Sequence, residues 1–545
     1  MMRSRVPCIV ASAVLALTIG ASLAGHVRLA LNPLAFNDDV RQHIVPFFRY
    51  AQEGVASPDI PSDYQLDITP PGFWLLYRTL APVVDPETLS KALPYALFLA
   101  MLLGVGIAAH RLGGPVVALV ALAVAIQTPV FLSRMTGGLE RGFAFPLLAL
   151  GLCALVAGRV RWLAALVVVA MAFYPPAAAI LGIALGALVF IVPRRDRGEA
   201  EWWSWRRSLA ALFLVGALTS AAFVPTALGA RSWGRQLESK DVAVYPEFGA
   251  EGRSGINGRM LLPGDGGKLL AAPVQKLARD RTTLVMKGLS LLLMLGLIPL
   301  AKRDAGARRA LALPLAAGAG YVLAVTLAPY MYIPQRYLAY AVPLLVTVLL
   351  PASGAALAGI VSPPRWARHA ATIGAVFAGG AALLLLGGRG GPGTGYTVKL
   401  DGDARIYKFI RGLPKDALVA GWPRGVIDNV PYACRRRAFV TYETYQVFHE
   451  GYVLEMRRRM HALIAALFSD DPRGLMELRD TFGVTHLIVD AEDFSKPPRY
   501  FAPFDTEVKR TWQRGVERGF AIESLLTKAT VFREGKLTVL DLSRL

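Results

Sequence analysis

Apolar stretches about 20 residues long recur along this 545-residue chain, and nothing else in it so narrows what it can become. A helix rises about 1.5 Å per residue, so about 20 residues cross the roughly 30 Å hydrocarbon layer of a bilayer. Inside that layer every backbone N–H and C=O must be paired within the segment, which makes helices of such stretches. Candidate spans lie at 6–25, 92–109, 114–132, 142–158, 208–228, 283–301, 311–328, 338–360 and 370–388. A further run, 162–192, carries Tyr174, Pro175 and Pro176 near its middle. Proline lacks an amide hydrogen and disfavours helix just before itself, so this run is expected to form two helices meeting at the break. The expectation is a polytopic α-helical membrane protein of about 11 transmembrane helices.

Composition agrees: 54% of residues are hydrophobic and 18% charged, which is too apolar for a chain solvated by water alone. The formal charge of +20 raises nucleic acid as a partner. The Lys and Arg residues fall largely between the spans, however, so membrane lipid is the expected partner and nucleic acid is not. Cys8, Cys153 and Cys434 are scattered one to a region and build neither a disulfide framework nor a zinc site.

Charge also orients the chain. Arg3 and Arg5 precede the first span and place the N-terminus in the cytoplasm. With eleven spans, the short loops carrying Arg159 and Arg161, then Arg194, Arg195, Arg197, Arg206 and Arg207, then Lys302, Arg303, Arg308 and Arg309, then Arg365 and Arg368, all become cytoplasmic. Loops 26–91 and 229–282 fall outside; the second is basic as well, but the positive-inside tendency is weak for loops that long. Ser22 and Ala24 also form a passable signal-peptidase site, so residues 1–24 have a cleaved signal peptide as their alternative reading. A multi-pass protein of the cell inner (plasma) membrane is expected.

After the glycine-rich linker Gly387–Gly395 the composition becomes that of a globular protein. Helix-like stretches at 403–412 and 446–468 alternate with strand-like runs at 417–421, 438–442 and 486–489. A closing hairpin is expected from Thr530–Phe532 and Leu537–Leu540. Residues 396–545 are thus expected to form a soluble, extracytoplasmic α/β domain behind a transmembrane domain at 1–390. Residues 396–545 show no dinucleotide fingerprint, phosphate-binding loop or nucleophile elbow.

The most informative residues are Asn37-Asp38-Asp39-Val40-Arg41-Gln42-His43, just outside the first span. Two adjacent carboxylates repel one another and suit proton abstraction or a divalent cation. If Asp39 begins a helix, His43 lies one turn later on the same face, making Asp38, Asp39 and His43 the candidate metal ligands. Asn-Asp-Asp is equally a good helix N-cap. At this point the chain resembles the GT-C-type integral membrane glycosyltransferase superfamily, with many spans, an acidic pair in the first outward loop and a C-terminal soluble domain. Together with Gly138-Leu139-Glu140-Arg141, Phe143, Phe145-Pro146 and Phe173-Tyr174-Pro175-Pro176, the Asn-Asp-Asp-x-Arg-Gln-His segment looks like that of a group of bacterial membrane proteins near this superfamily.

The resemblance implies a catalytic carboxylate at Asp38 or Asp39 and a sugar donor carried on polyprenyl phosphate, moved to a cell-envelope acceptor. A lipid-phosphate leaving group needs cations, best supplied by guanidinium groups. Arg336, at an outward helix end, and Arg141 are the candidates, with Arg41, His43 and Tyr174 as further substrate-binding residues. Snorkelling at the interface is the plain alternative for the arginines. A transporter or scaffold for envelope material is the rival reading, although the spans carry almost no charge at mid-depth. Asp59, Asp63 and Asp67 are expected in a solvated loop broken by Pro58 and Pro61. Trp202, Trp203 and Trp205 are expected at the membrane interface, and His449 and His461 are expected to be structural.

Overall fold

A computed structural model describes residues 20, 23–254, 295–327, 331, 333–359, 394–400 and 404–545. The expected span 370–388, nearly all of 6–25, and most of 283–301 and of the Gly387–Gly395 linker lie outside the described residues. After the first span come a two-residue strand β1 (Ala35–Phe36) and the helices α1 (Val40–His43), α2 (Ile60–Ile68) and α3 (Pro71–Leu80). The apolar helices follow: α4 (Pro86–Gln127), α5 (Ala144–Ala157), α6 (Val160–Phe173), α7 (Pro175–Phe190), α8 (Trp205–Arg231), α9 (Ala312–Thr326) and α10 (Gln335–Ala358). Counting short helical turns that extend α5 and α9, five helices are long and apolar enough to cross a membrane among the described residues, while α6 and α7 are shorter apolar helices.

Helix α4 runs for 42 residues, roughly 60 Å at helical rise and too long for one crossing. The chain turns at Gly114, whose φ of 81° is closed to most side chains, ahead of Pro115. The two halves pack as a hairpin: a Cβ built on Gly106 would lie 3.5 Å from Leu122. Tyr174 is extended (φ −153°, ψ 92°), and Pro175 opens α7 at its first turn, where a missing amide hydrogen costs nothing. The break expected at this tripeptide therefore separates α6 from α7.

Helices α4 and α5 touch backbone to backbone at Gly104, where a Cβ would come 2.8 Å from the carbonyl carbon of Ala149. A Gly104→Ala substitution is expected to cost about 1–3 kcal/mol through overpacking. Gly186→Ala, at a site with nothing within 4 Å of the added carbon, is expected to be neutral or slightly stabilising. Thermal unfolding of both variants in one detergent checks the contrast.

Helices α5 to α8 run alternately between two ends. At one end stand Arg159, Arg194 to Arg197, Arg308 and Arg309. There Asp196 is held by Arg308 at 2.6 and 2.8 Å, and Arg309 donates to the carbonyls of Leu155 and Val156 at 2.8 and 2.5 Å. The Val156 contact satisfies a carbonyl that the end of α5 leaves without an intrahelical partner, while Leu155 also accepts from Gly158 N–H at 3.0 Å. At the other end are residues 35–80, 232–254, 394–400 and 404–545.

Residues 404–545 contain a five-stranded sheet in the order β4-β3-β5-β7-β6, where β3 is Leu418–Ala420, β4 Arg437–Ala438, β5 His486–Asp490, β6 Thr530–Glu534 and β7 Leu537–Asp541. Strands β4, β3 and β5 are parallel, while β7 runs antiparallel to β5 and pairs with β6 as a hairpin. Helices α11 (Val426–Cys434), α12 (Glu450–Phe468) and α13 (Phe504–Arg518) accompany it. A strand β2 (Val398–Lys399) pairs antiparallel with β1, matching Ala35 to Lys399 and Phe36 to Val398. This ties the loop after the first span to the chain entering the C-terminal segment. Residues 236–252 join the same body: Leu237 N–H donates to the Phe448 carbonyl at 2.8 Å, and fully buried Glu247 receives Arg457 at 2.6 Å through both oxygens.

One expectation is corrected here. Asp59, Asp63 and Asp67 do not lie in a solvated loop but start and line α2, because Pro61 falls in the first turn, where proline is tolerated. Asp59 caps the helix through Ser62 N–H, Asp63 pairs with Arg49 at 2.7 Å, and Asp67 accepts from the Trp233 indole at 2.8 Å.

Candidate active site

Where the outer segments meet the helices there is a cavity of about 1300 Å³. Asp38, Asp39, His43, Arg141, Tyr174 and Arg336 all line it, although the sequence separates them by up to about 300 positions. Its deeper wall comes from Met171 to Ala179 at the α6–α7 break and Thr219 to Val224 of α8; its outer wall includes Arg253, Glu443, Gln446 and His449.

The acidic loop is fixed mainly through its backbone and Asn37. Asn37 donates to the Gly395 carbonyl at 2.8 Å, Asp38 N–H donates to Thr397 Oγ1 at 2.8 Å, and Asp39 N–H donates to Asn37 Oδ1 at 3.1 Å. Asp39 occupies the N-cap position of α1, yet its side chain makes no capping hydrogen bond. Its carboxylate is instead taken by the Arg141 guanidinium, which also donates to Asn37 Oδ1 at 3.2 Å. Among the described residues no hydrogen bond or ion pair engages the Asp38 carboxylate. The two adjacent acids therefore differ: one is a counter-ion, and the other is available at the cavity wall.

Arg41 is placed elsewhere. It is buried, does not line the cavity, and reaches into the C-terminal segment to Asp428 at 2.8 Å, Asn429 at 3.0 Å and Glu443 at 3.0 Å. As a substrate-binding candidate it is thus replaced by a connector between the acidic loop and the body behind it. Burial pushes the Asp428 and Glu443 carboxyls above their usual range, with Arg41 pulling each back.

The metal expectation does not fit this arrangement either. Asp39 is occupied by a guanidinium, His43 Nδ1 faces Gln65 at 3.2 Å, and no group of three or more His, Cys, Asp or Glu among the described residues could hold an ion. Tyr174 is buried and meets Tyr340 edge-on at 5.7 Å between ring centres.

Several cavity residues escaped the sequence reading. Glu140, one position before Arg141, stands 3.5 Å from His43. Arg253, Glu443 and Gln446 come from regions whose sequence carries no motif pointing inward. His449, expected to be structural, is buried at the cavity wall and bonded to the Tyr64 hydroxyl at 3.0 Å. Burial lowers its pKa to about 4, so the unfolded ring, near the usual 6.5, binds protons more tightly. Stability tied to neutral His449 is expected to be complete above pH 6.5 and lost as pH falls towards 4. Thermal unfolding of the parent against His449→Gln across that window checks it, since the variant lacks this slope.

No protein-family model and no curated protein matches the sequence. Solved structures do match the fold. ArnT from Cupriavidus metallidurans in the apo state superimposes with a TM-score of 0.50 at 15% identity, over 99% of this chain and 98% of that one. The same protein bound to undecaprenyl phosphate gives 0.47 at 14% identity, over 98% of each chain. The Archaeoglobus fulgidus oligosaccharyltransferase in complex with zinc and sulfate gives 0.49 at 12% identity, over 88% of this chain and 68% of that one.

Proposed function

Because the chain is a multi-pass membrane protein with the GT-C-type glycosyltransferase fold, we propose that it moves a sugar from a polyprenyl-phosphate-linked donor to a hydroxyl of a cell-envelope acceptor on the outer face of the membrane. One observation carries this reading: a single cavity joins an available carboxylate, Asp38, and two arginines, Arg141 and Arg336, to a wall made by apolar helices. A lipid-borne donor needs that combination, with the prenyl chain among helices and the reacting sugar at the surface.

In the proposed reaction the acceptor oxygen bonds to the anomeric carbon as the bond from that carbon to the phosphate oxygen breaks. Asp38 takes the hydroxyl proton. The lipid phosphate leaves with its electron pair, and the guanidinium groups of Arg336 and Arg141 stabilise its charge. Asp39 and Asn37 orient Arg141 for that task. The alternation of the helices and the gathering of basic loops at the far end support a cytoplasmic N-terminus and an extracytoplasmic domain at 396–545, which assists acceptor binding through the cavity's outer wall.

The test is sugar transfer by the purified full chain in nanodiscs, with a panel of polyprenyl-phosphate sugars and envelope extract as acceptor. Transfer from at least one donor is expected. A well-folded protein inactive across the panel contradicts the reading.

A further inference from the structure

Three side-chain amides connect the C-terminal segment to His43. Gln446 Nε2 donates to the backbone carbonyl of Glu443 at 2.7 Å and to Gln42 Oε1 at 2.8 Å. Gln42 Nε2 donates to Gln65 Oε1 at 2.7 Å, and Gln65 Nε2 faces His43 Nδ1 at 3.2 Å. Gln42 and Gln65 are both more than nine-tenths buried, and all four side chains line the cavity.

The polarity of this chain is determined at both ends. A backbone carbonyl can only accept, so the Gln446 atom facing Glu443 is its nitrogen. Its other neighbour must then be the oxygen of Gln42, which leaves the Gln42 nitrogen to donate to the oxygen of Gln65. At the far end Thr69 spends its single hydroxyl hydrogen on the Gln65 carbonyl at 2.6 Å, so its oxygen accepts from Gln65 Nε2 at 3.4 Å. Both ends make the Gln65 atom facing His43 a donor. His43 Nδ1 must present its lone pair, which puts the hydrogen of the neutral ring on Nε2. Glu140 Oε1 stands 3.5 Å from the same Nδ1 but forms no hydrogen bond with it or with any other described group.

We propose that the Gln446–Gln42–Gln65 chain holds His43 as its Nε2–H tautomer, so that the C-terminal segment equips the cavity with a hydrogen-bond donor for an oxygen of the bound donor substrate. The second half of this statement rests on the transferase reading; the first does not. The three glutamines are positioning residues. This also accounts for the motif as a unit: Asp38 and Asp39 act at the wall, Arg41 connects to the C-terminal segment, and Gln42 and His43 carry the relay.

The experiment is nitrogen NMR of the full chain in nanodiscs, with all seven histidines ring-labelled and the His43 signals assigned by their loss in His43→Gln. The parent is expected to show a protonated Nε2 and an unprotonated Nδ1. Gln446→Glu places an acceptor where both contacts need a donor, and is expected to turn Gln42 and Gln65 over and shift the hydrogen towards Nδ1. A parent ring protonated on Nδ1, or a tautomer unchanged in Gln446→Glu of parental thermal stability, overturns the relay. Gln65→Glu, which sets a carboxylate directly against Nδ1, serves if Gln446→Glu does not fold; the hydrogen is expected on Nδ1, and its retention on Nε2 again overturns the relay.

In the transfer assay, His43→Gln keeps an N–H near the Nε2 position and is expected to retain at least tenfold more activity than His43→Asn. Equal activities overturn the donor role. If the parent shows no transfer at all, the transferase reading fails while the tautomer result still decides the relay.

Discussion

Replacing Asp38 by Asn is expected to lower sugar transfer by about 10² to 10⁴, the range over which a positioned general base contributes, while leaving thermal stability unchanged. Stability should hold because no described hydrogen bond or ion pair uses the Asp38 carboxylate; only its backbone N–H and C=O are engaged, by Thr397 and Arg41. Asp39→Asn is expected to act differently. It removes the counter-ion of Arg141, loosening the guanidinium proposed to hold the phosphate, so the loss should fall more on donor KM and be accompanied by reduced stability. Steady-state transfer and thermal unfolding of both variants check the division. A full loss in Asp39→Asn beside an active Asp38→Asn would exchange the two roles.

The second large effect concerns Arg41. Removing it as Arg41→Met leaves Asp428 and Glu443, 8% and 14% exposed at their side chains, without their nearer shared cation, Arg253 remaining 3.5 Å from Glu443. Breaking a buried ion pair from one side costs about 3–5 kcal/mol. The sign with pH follows from the direction of their shifts. Burial raises both carboxyls, so the folded state holds their protons more tightly than the unfolded chain, and their contribution becomes more favourable as pH falls through the raised values. Without Arg41 the carboxyls rise further. The deficit of Arg41→Met is therefore expected to be largest near neutral pH and to shrink on acidification, and Asp428→Asn or Glu443→Gln in the same background should recover part of it. Thermal unfolding of the three proteins at pH 7 and pH 5 measures this.

How much was legible in the sequence depended on the range of the interaction. Spans are set by local apolar length, and the helices of 142–158, 208–228 and 338–360 lie close to where length put them. The break at Tyr174 was visible because proline acts on its immediate neighbours. The strands at 417–421 and 486–489 and the closing hairpin were visible for the same reason, as short apolar runs bounded by turns. The α4 hairpin, by contrast, turns on Gly114 without leaving helical hydrogen bonding for long, so two expected spans appear as one element.

The site was legible in part. Asp38, Asp39, His43, Arg141, Tyr174 and Arg336 could be named as candidates because each has unusual chemistry for its position. Their meeting at one cavity rests on tertiary packing that no local pattern encodes. Arg41 was misread because its partners lie nearly 400 residues away. The helix carrying Asp59, Asp63 and Asp67 was not legible because proline breaks a helix interior, whereas Pro61 stands in the first turn, where it pre-forms the helix.

The most direct measurement of the central claim, that one cavity seats a lipid phosphate beside Asp38, is photo-crosslinking. A polyprenyl phosphate with a photoreactive group near its head would be bound to the purified full chain in nanodiscs and the modified residues mapped. Adducts are expected at cavity-lining positions from Met171 to Ala179 and from Thr219 to Val224, and should decrease in Arg336→Ala and with excess unlabelled lipid phosphate. Adducts spread over outward-facing residues such as Phe213 and Leu214, unaffected by either change, would contradict the account.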